Sequence, residues 1–200
     1  DSPDFDEFTQ QQISIYQECS SKIQNAFNYS ITRHIANSAA ITRFPQAQYD
    51  MVRLGIGIYG VASDINIQNN LQIVTRLKSI ISQIKNIKKG DSVGYNRAFV
   101  AEKDMKIATI PIGYADGFDR RFSQGKASVV VNGVECKIIG NVCMDMCMID
   151  LGNIEASEGD EVIIFGDKPS IQDLAKSIGS IPYEILTSIS SRVKRVYIQE

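Results

Sequence analysis

The chain has 200 residues, of which 44% are hydrophobic and 22% charged, with a formal net charge of −2. That size supports one domain with a real core, or a small domain plus part of another, and the composition argues against disorder. The mixed charge offers no basic field to nucleic acid, and no run of about 18 apolar residues is available to span a bilayer, so a soluble protein is expected.

The N-terminus, DSPDFDEF, is acidic and has neither the positive start nor the apolar core of a signal peptide. The first residue is not methionine, and the expectation is a piece of a longer protein. Cys19, Cys136, Cys143 and Cys147 show no CxxC spacing, and His34 is the only histidine. Reduced thiols in a cytoplasmic protein without a metal site are expected.

From Asp4 to about Phe27, Phe8, Ile13, Ile15 and Ile23 recur among polar residues and predict an amphipathic helix. A strand-like YSITRH (29–34) follows, then a short helix from Ser38 to Phe44 stopped by Pro45, then MVRLGIGIYG (51–60). Such alternation suggests the end of an α/β domain with parallel strands, and the polar stretch 63–70 marks a boundary.

Beyond that boundary the pattern is mainly strands. In LQIVTRLKSIISQIKNI (71–87) the isoleucine spacing favours a helix, whereas the β-branched content favours strand. MKIATIPIG, CMIDL and EVIIFG read as strands, and ASVVVNGVECKII as a hairpin turning at Asn132-Gly133 through a type I′ turn. Ser170 and Asp173 open a helix, IPYEILTSIS continues helical, and VKRVYI reads as a last strand.

Several residues are placed where chemistry is possible. Asn37 and Ser38 begin a short helix, where free N–H groups and a hydroxyl suit an anion, although on local grounds alone an ordinary N-cap is the preferred reading. Arg53-Leu54-Gly55-Ile56-Gly57 carries a Gly-x-Gly turn that lets backbone approach a ligand. Arg53 sits between apolar residues on an expected buried strand, where a permanent charge needs a partner. Tyr95 and Tyr114 each follow a glycine at a strand end; tyrosine titrates near 10 and acts as an acid or base only with help from neighbours. Met144 and Asp145 lie between apolar strands, where methionine is usually core filler.

HIANSAAITRFP, VRLGIGIYG, VGYNRAF, IPIGYADG, GNVCMDMCMIDL and IPYE, in this order, resemble the bacterial alanine racemases over the whole chain. The fold this implies is a mostly β, barrel-like C-terminal domain with short helices (67–200), preceded by the last part of a (β/α)8 TIM-type barrel (1–66). It decides residues 71–87 for strand. The resemblance further implies a pyridoxal 5′-phosphate enzyme, an isomerase interconverting L- and D-alanine for peptidoglycan. Its cofactor phosphate would be held by Ser38, the backbone at Gly55 and Ile56, and the Tyr183 hydroxyl, with Asn37 beside them. Arg53 would face the pyridine nitrogen, supported by a hydrogen bond from His34. Tyr95 would be one of two catalytic bases, reaching across a homodimer interface, and Tyr114, Met144 and Asp145 would line the partner's substrate pocket.

The family's other base is a lysine that carries the cofactor, and none of the lysines here stands in a matching motif. The 200 residues alone are therefore expected to be inactive. Two rival readings are a decarboxylase of basic amino acids with the same architecture, against which Arg53 speaks, and a non-catalytic β module for binding or dimerisation.

Overall fold

A computed structural model describes residues 3–198. The chain divides into two compact units, Asp1–Val74 and Thr75–Glu200.

In the first unit, helix α1 (Asp6–Asn25) follows a 3-10 turn over Pro3–Phe5. Asp6 and Glu7 in its first turn and Lys22 in its last complement the helix dipole. Arg43 pairs with Asp6 and ties α1 to helix α2 (Ser38–Arg43). None of α1's residues is buried, and Phe8, Ile15 and Ile23 stay exposed, so its apolar stripe is only partly used within this unit.

The strand expected over YSITRH is reduced to a single parallel bridge between His34 and Met51. Backbone hydrogen bonds from Asp50 N to Arg33 O (3.2 Å) and from Arg53 N to Ala36 O (2.9 Å) extend it on either side. Among the described residues each segment pairs only with the other, too little for a ladder of full strand length. The expected helix at Ser38 ends at Arg43, because Phe44 precedes Pro45 and leaves the helical region (φ −132°, ψ 68°). Part of the stretch read as loop, 63–70, coils into a short helix, α3 (Ile65–Gln68), capped by the Asp64 carboxylate.

The second unit is built on nine strands: β1 (Leu77–Ile80), β2 (Gln83–Ile87), β3 (Ser92–Val93), β4 (Phe99–Val100), β5 (Met105–Ile110), β6 (Ser128–Val131), β7 (Val134–Ile139), β8 (Cys147–Asp150) and β9 (Glu161–Phe165). Seven form an antiparallel sheet in the order β1-β9-β6-β7-β8-β5-β2, while β3 and β4 make a separate hairpin. The sheet's two end strands, β1 and β2, are separated in the chain by only Ile81 and Ser82. Two residues span less than about 11 Å, so the sheet must curl until its ends nearly meet. Ile81 donates to Asp160 O (2.9 Å) beside β9 and Ser82 to Thr109 O (2.9 Å) on β5, so the link between the two end strands is held from both sides. This is the barrel-like β domain expected from the sequence.

The interior is lined by Val129, Val131, Ile138, Ile149, Leu151, Val162 and Ile164, all fully buried. The hairpin at Asn132-Gly133 forms as expected, with both residues at positive φ (48° and 80°), the signature of a type I′ turn. In 71–87, strands form despite the helical spacing, because Ile81 and Ile87 are buried by pairing with distant β9 and β5. Helix α4 (Ile171–Ser177) starts where Ser170 Oγ accepts from Asp173 N (3.1 Å), and helix α5 (Pro182–Ser188) has proline in its first turn.

VKRVYI is not a strand over its described residues, 193–198. The Arg195 guanidinium folds back to donate to Ile189 O (2.7 Å), Val193 O (2.7 Å) and Ser190 O, and no strand among the described residues pairs with this segment.

Candidate functional site

In the first unit the adjacent parallel segments leave their bridge in the same direction, one toward Asn37 and Ser38, the other toward Gly55 and Ile56. Ligands commonly bind at such strand ends in α/β architectures. Asn37 caps α2, its Oδ1 accepting from Ala40 N at 3.1 Å. Ser38 Oγ accepts from Gly55 N at 2.7 Å and lies 3.5 Å from Gly57 N. A Cβ at Gly57 would come within 2.9 Å of Leu54 Cδ1 and 3.7 Å of Ser38 Oγ. One hydroxyl and the backbone of a tight glycine turn thus converge, as a small anion requires.

Arg53 departs from expectation. It is exposed, not buried: its backbone still pairs with Ala36, but no layer among the described residues covers its side chain. His34 is exposed as well, and no hydrogen bond joins its ring to Arg53 among the described residues.

The second unit collects the other residues on loops at the rim of its barrel. Tyr95 heads a 3-10 turn, Tyr95–Arg97, between β3 and β4, entered through Gly94 at φ 77°. Val93 and Phe99, flanking that turn, pack with Ile87, Ala101, Ile107, Ile139 and Met148, which anchors the hairpin while Tyr95 itself stays 79% exposed. An exposed tyrosine on an anchored turn can reach a group outside its own domain.

Tyr114 follows β5 on a second 3-10 turn, Tyr114–Asp116. Its N–H donates to Cys143 O and that of Ala115 to Met144 O, both at 3.0 Å, so the structure places Tyr114 beside Met144 and Asp145. Gly113 is required there: a Cβ would lie 2.3 Å from both carbonyl oxygens. Tyr183 lies half-exposed on α5, whose end docks on the same loop through Ser188 Oγ to Gly117 O at 3.1 Å.

Sequence reasoning missed Asp116 and Arg192. Asp116 Oδ2 accepts from Gly113 N (2.9 Å), and its Oδ1 lies 3.2 Å from Arg192 Nε. Arg192 Nη2 donates to Asp145 Oδ1 at 2.8 Å. The hydrogen bond with Asp145, then the charge of Asp116, raise the Arg192 pKa above the usual arginine value. Asp116 stood inside a motif already singled out, but Arg192 is 47 residues from Asp145 in sequence, with no local pattern to connect them.

The thiols lie apart from this chemistry. Burial pushes Cys147 up to about 12 and Cys136 up to about 11, which leaves both protonated and inert at neutral pH. Among the described residues no group of His, Cys, Asp and Glu could hold a metal ion.

Comparison with known proteins supplies the frame for these loops. The description "Alanine racemase, C-terminal domain" matches residues 74–197, and "Alanine racemase, N-terminal domain" matches residues 1–63. "Alanine racemase 1" of Clostridium acetobutylicum is 42% identical over 175 residues, which is 84% of this chain and 45% of that protein. The alanine racemase of Streptomyces lavendulae, a producer of D-cycloserine, superposes with a TM-score of 0.90 at 32% identity, covering 96% of this chain and 52% of that one. The Bartonella henselae alanine racemase with covalently bound pyridoxal phosphate gives a TM-score of 0.85 at 30% identity, covering 95% and 52%. The chain spans about half the length of the curated relatives it matches. With both halves of its sequence matched by the same family and its fold shared with solved members, the chain belongs to the alanine racemase family.

Proposed function

We propose that residues 1–200 form part of a pyridoxal-phosphate-dependent racemase that interconverts L- and D-alanine, with 1–66 the end of its cofactor barrel and 67–200 its C-terminal domain. The observation that carries this is the Ser38 cradle. A hydroxyl and the Gly55–Gly57 backbone converge at parallel strand ends, in a chain whose relative from Bartonella henselae holds covalent pyridoxal phosphate. When bound, that cofactor supplies an electron sink that acidifies the Cα–H of an amino acid.

The chain's own residues then have separate tasks. Ser38 and the amides at Gly55 and Ile56 would hold the phosphate, with Asn37 fixing the start of α2 beside them. Arg53, an exposed guanidinium, would meet the pyridine nitrogen and disfavour its protonation, with His34 in support. Racemisation requires a base on each face of Cα, and Tyr95 moves the proton on one face. Its exposure on an anchored turn suits a reach into the site of a second subunit, where Tyr114, Met144 and Asp145 line the substrate pocket. The base on the other face is a lysine from outside these 200 residues, so this chain by itself does not turn over alanine. The product would serve peptidoglycan synthesis in the cytoplasm.

The cradle is tested by titrating the chain with pyridoxal 5′-phosphate and, separately, with pyridoxal. Tighter binding of the phosphate ester, reduced about tenfold or more by Ser38→Ala, supports the reading. Equal binding of both compounds, or indifference to the substitution, overturns it.

A further inference from the structure

Three loops of the second unit are stitched together at one point. The first, 113–117, carries Tyr114; the second, 143–146, carries Met144 and Asp145; the third, 188–195, follows α5. The first two are joined by backbone hydrogen bonds from Tyr114 and Ala115 to Cys143 and Met144. The first and third are joined by Ser190 N donating to Asp116 O (3.0 Å) and Ser188 Oγ to Gly117 O (3.1 Å). Only side chains link the third loop to the second among the described residues, through Arg192 and Asp145.

We propose that Arg192 is a positioning residue that locks these loops by bridging two carboxylates with one guanidinium, Nε to Asp116 at 3.2 Å and Nη2 to Asp145 at 2.8 Å. A rigid guanidinium fork is suited to this, because its donors diverge in fixed directions. Asp116 makes the bridge consequential. Its side chain is only 13% exposed, and its second oxygen already fixes the Gly113 amide at the point where β5 turns into the Tyr114 loop. Without Arg192, one largely buried carboxylate loses its cation, and a second carboxylate faces it within reach of the same space; both effects push the loops apart.

The bridge also changes what Asp145 is. With its carboxylate engaged by Arg192, it acts at the pocket mouth as half of an ion pair, not as a free charge for an ammonium group to meet. In this link to substrate the inference rests on the proposed racemase site; the loop lock itself does not.

The lock is tested by amide hydrogen exchange on the 200-residue chain. Arg192→Met should speed exchange at Gly113, Tyr114 and Ala115 by about tenfold or more, while Ile107 to Ile110 in β5 keep their protection. Arg192→Lys, which retains the charge without the fork, should recover part of that protection, as should Asp145→Asn in the Arg192→Met background, by relieving the carboxylate repulsion. Acceleration spread evenly over β5, no acceleration at the three loop amides, or failure of both rescues overturns the lock. The substrate link has its own readout. In a racemising complex of this chain with the lysine-bearing part of the enzyme, Arg192→Met should raise KM for alanine more than it lowers kcat; an unchanged KM overturns the link. A complex that never racemises, even with Arg192 intact, counts against the racemase reading and leaves the exchange result standing.

Discussion

At the scale of single residues, the Tyr114 loop is held by glycines whose missing side chains are its specification. Gly117 sits at φ 98°, and a Cβ there would approach Ser188 O to 2.3 Å and Ile189 Cα to 2.7 Å. Gly117→Ala therefore combines left-handed strain with a backbone clash and should cost well over about 1 kcal/mol in urea denaturation. Gly133→Ala meets nothing within 4 Å and pays only the left-handed penalty of about 1–2 kcal/mol. The thiols give a second residue-level expectation. Burial raises the folded pKa of Cys147 to about 12 from an ordinary value of 9.0, so between those limits the unfolded state has lost a proton that the folded state keeps. Stability then falls as pH rises from about 9, by about 1.4 kcal/mol per pH unit from this thiol, and is unaffected by it below that range. At pH 8, iodoacetamide should label exposed Cys19 and spare Cys136 and Cys147, as peptide mass spectrometry would show. The residues themselves were legible in uneven measure. Tyr95 and Tyr114 stood out because each follows a glycine at a strand end. Arg192 did not, because its meaning comes only from the distant Asp116 and Asp145 that the fold brings to it. Arg53 was read as buried from its apolar neighbours, yet apolar neighbours on the chain do not supply a covering layer in space.

At the scale of elements, local chemistry proved readable wherever it was sufficient. The hairpin at Asn132-Gly133 and the cap at Ser170 are each decided by a few adjacent residues, and both form. Ser170→Ala should destabilise the domain by about 1 kcal/mol, as the loss of an N-cap does, seen as a lowered urea midpoint with an unchanged slope. Replacing Ile149, which pairs opposite Ile138 in the barrel interior, with alanine should cost about 2–5 kcal/mol in the same measurement. Residues 71–87 were harder, because their isoleucines repeat at helical spacing while their burial comes from β9 and β5 far along the chain. Periodicity cannot register a partner that lies elsewhere in the sequence. The end of the chain failed in the opposite sense. VKRVYI has the β-branched content of a strand, but no strand among the described residues pairs with it.

At the scale of the whole molecule, the two units carry different halves of one proposed chemistry. The first offers the proposed phosphate cradle at parallel strand ends; the second offers exposed tyrosines on anchored loops around a curled antiparallel sheet. The family was legible because several short motifs occur together in order, although each by itself was compatible with an ordinary cap, turn or packing residue. On the proposed reading, the isolated chain supplied with pyridoxal phosphate and L-alanine should form no D-alanine that depends on Tyr95, since the proposed second base is a lysine from outside these 200 residues. The most direct test of the central claim is complementation: co-express residues 1–200 with the lysine-bearing part of the enzyme, purify the complex, and assay D-alanine with the intact chain and with Tyr95→Phe. Racemisation that collapses in the Tyr95→Phe complex is the expected result. A soluble, associated complex with no activity, or with activity indifferent to Tyr95, would contradict the assignment of this chain as the source of the tyrosine base.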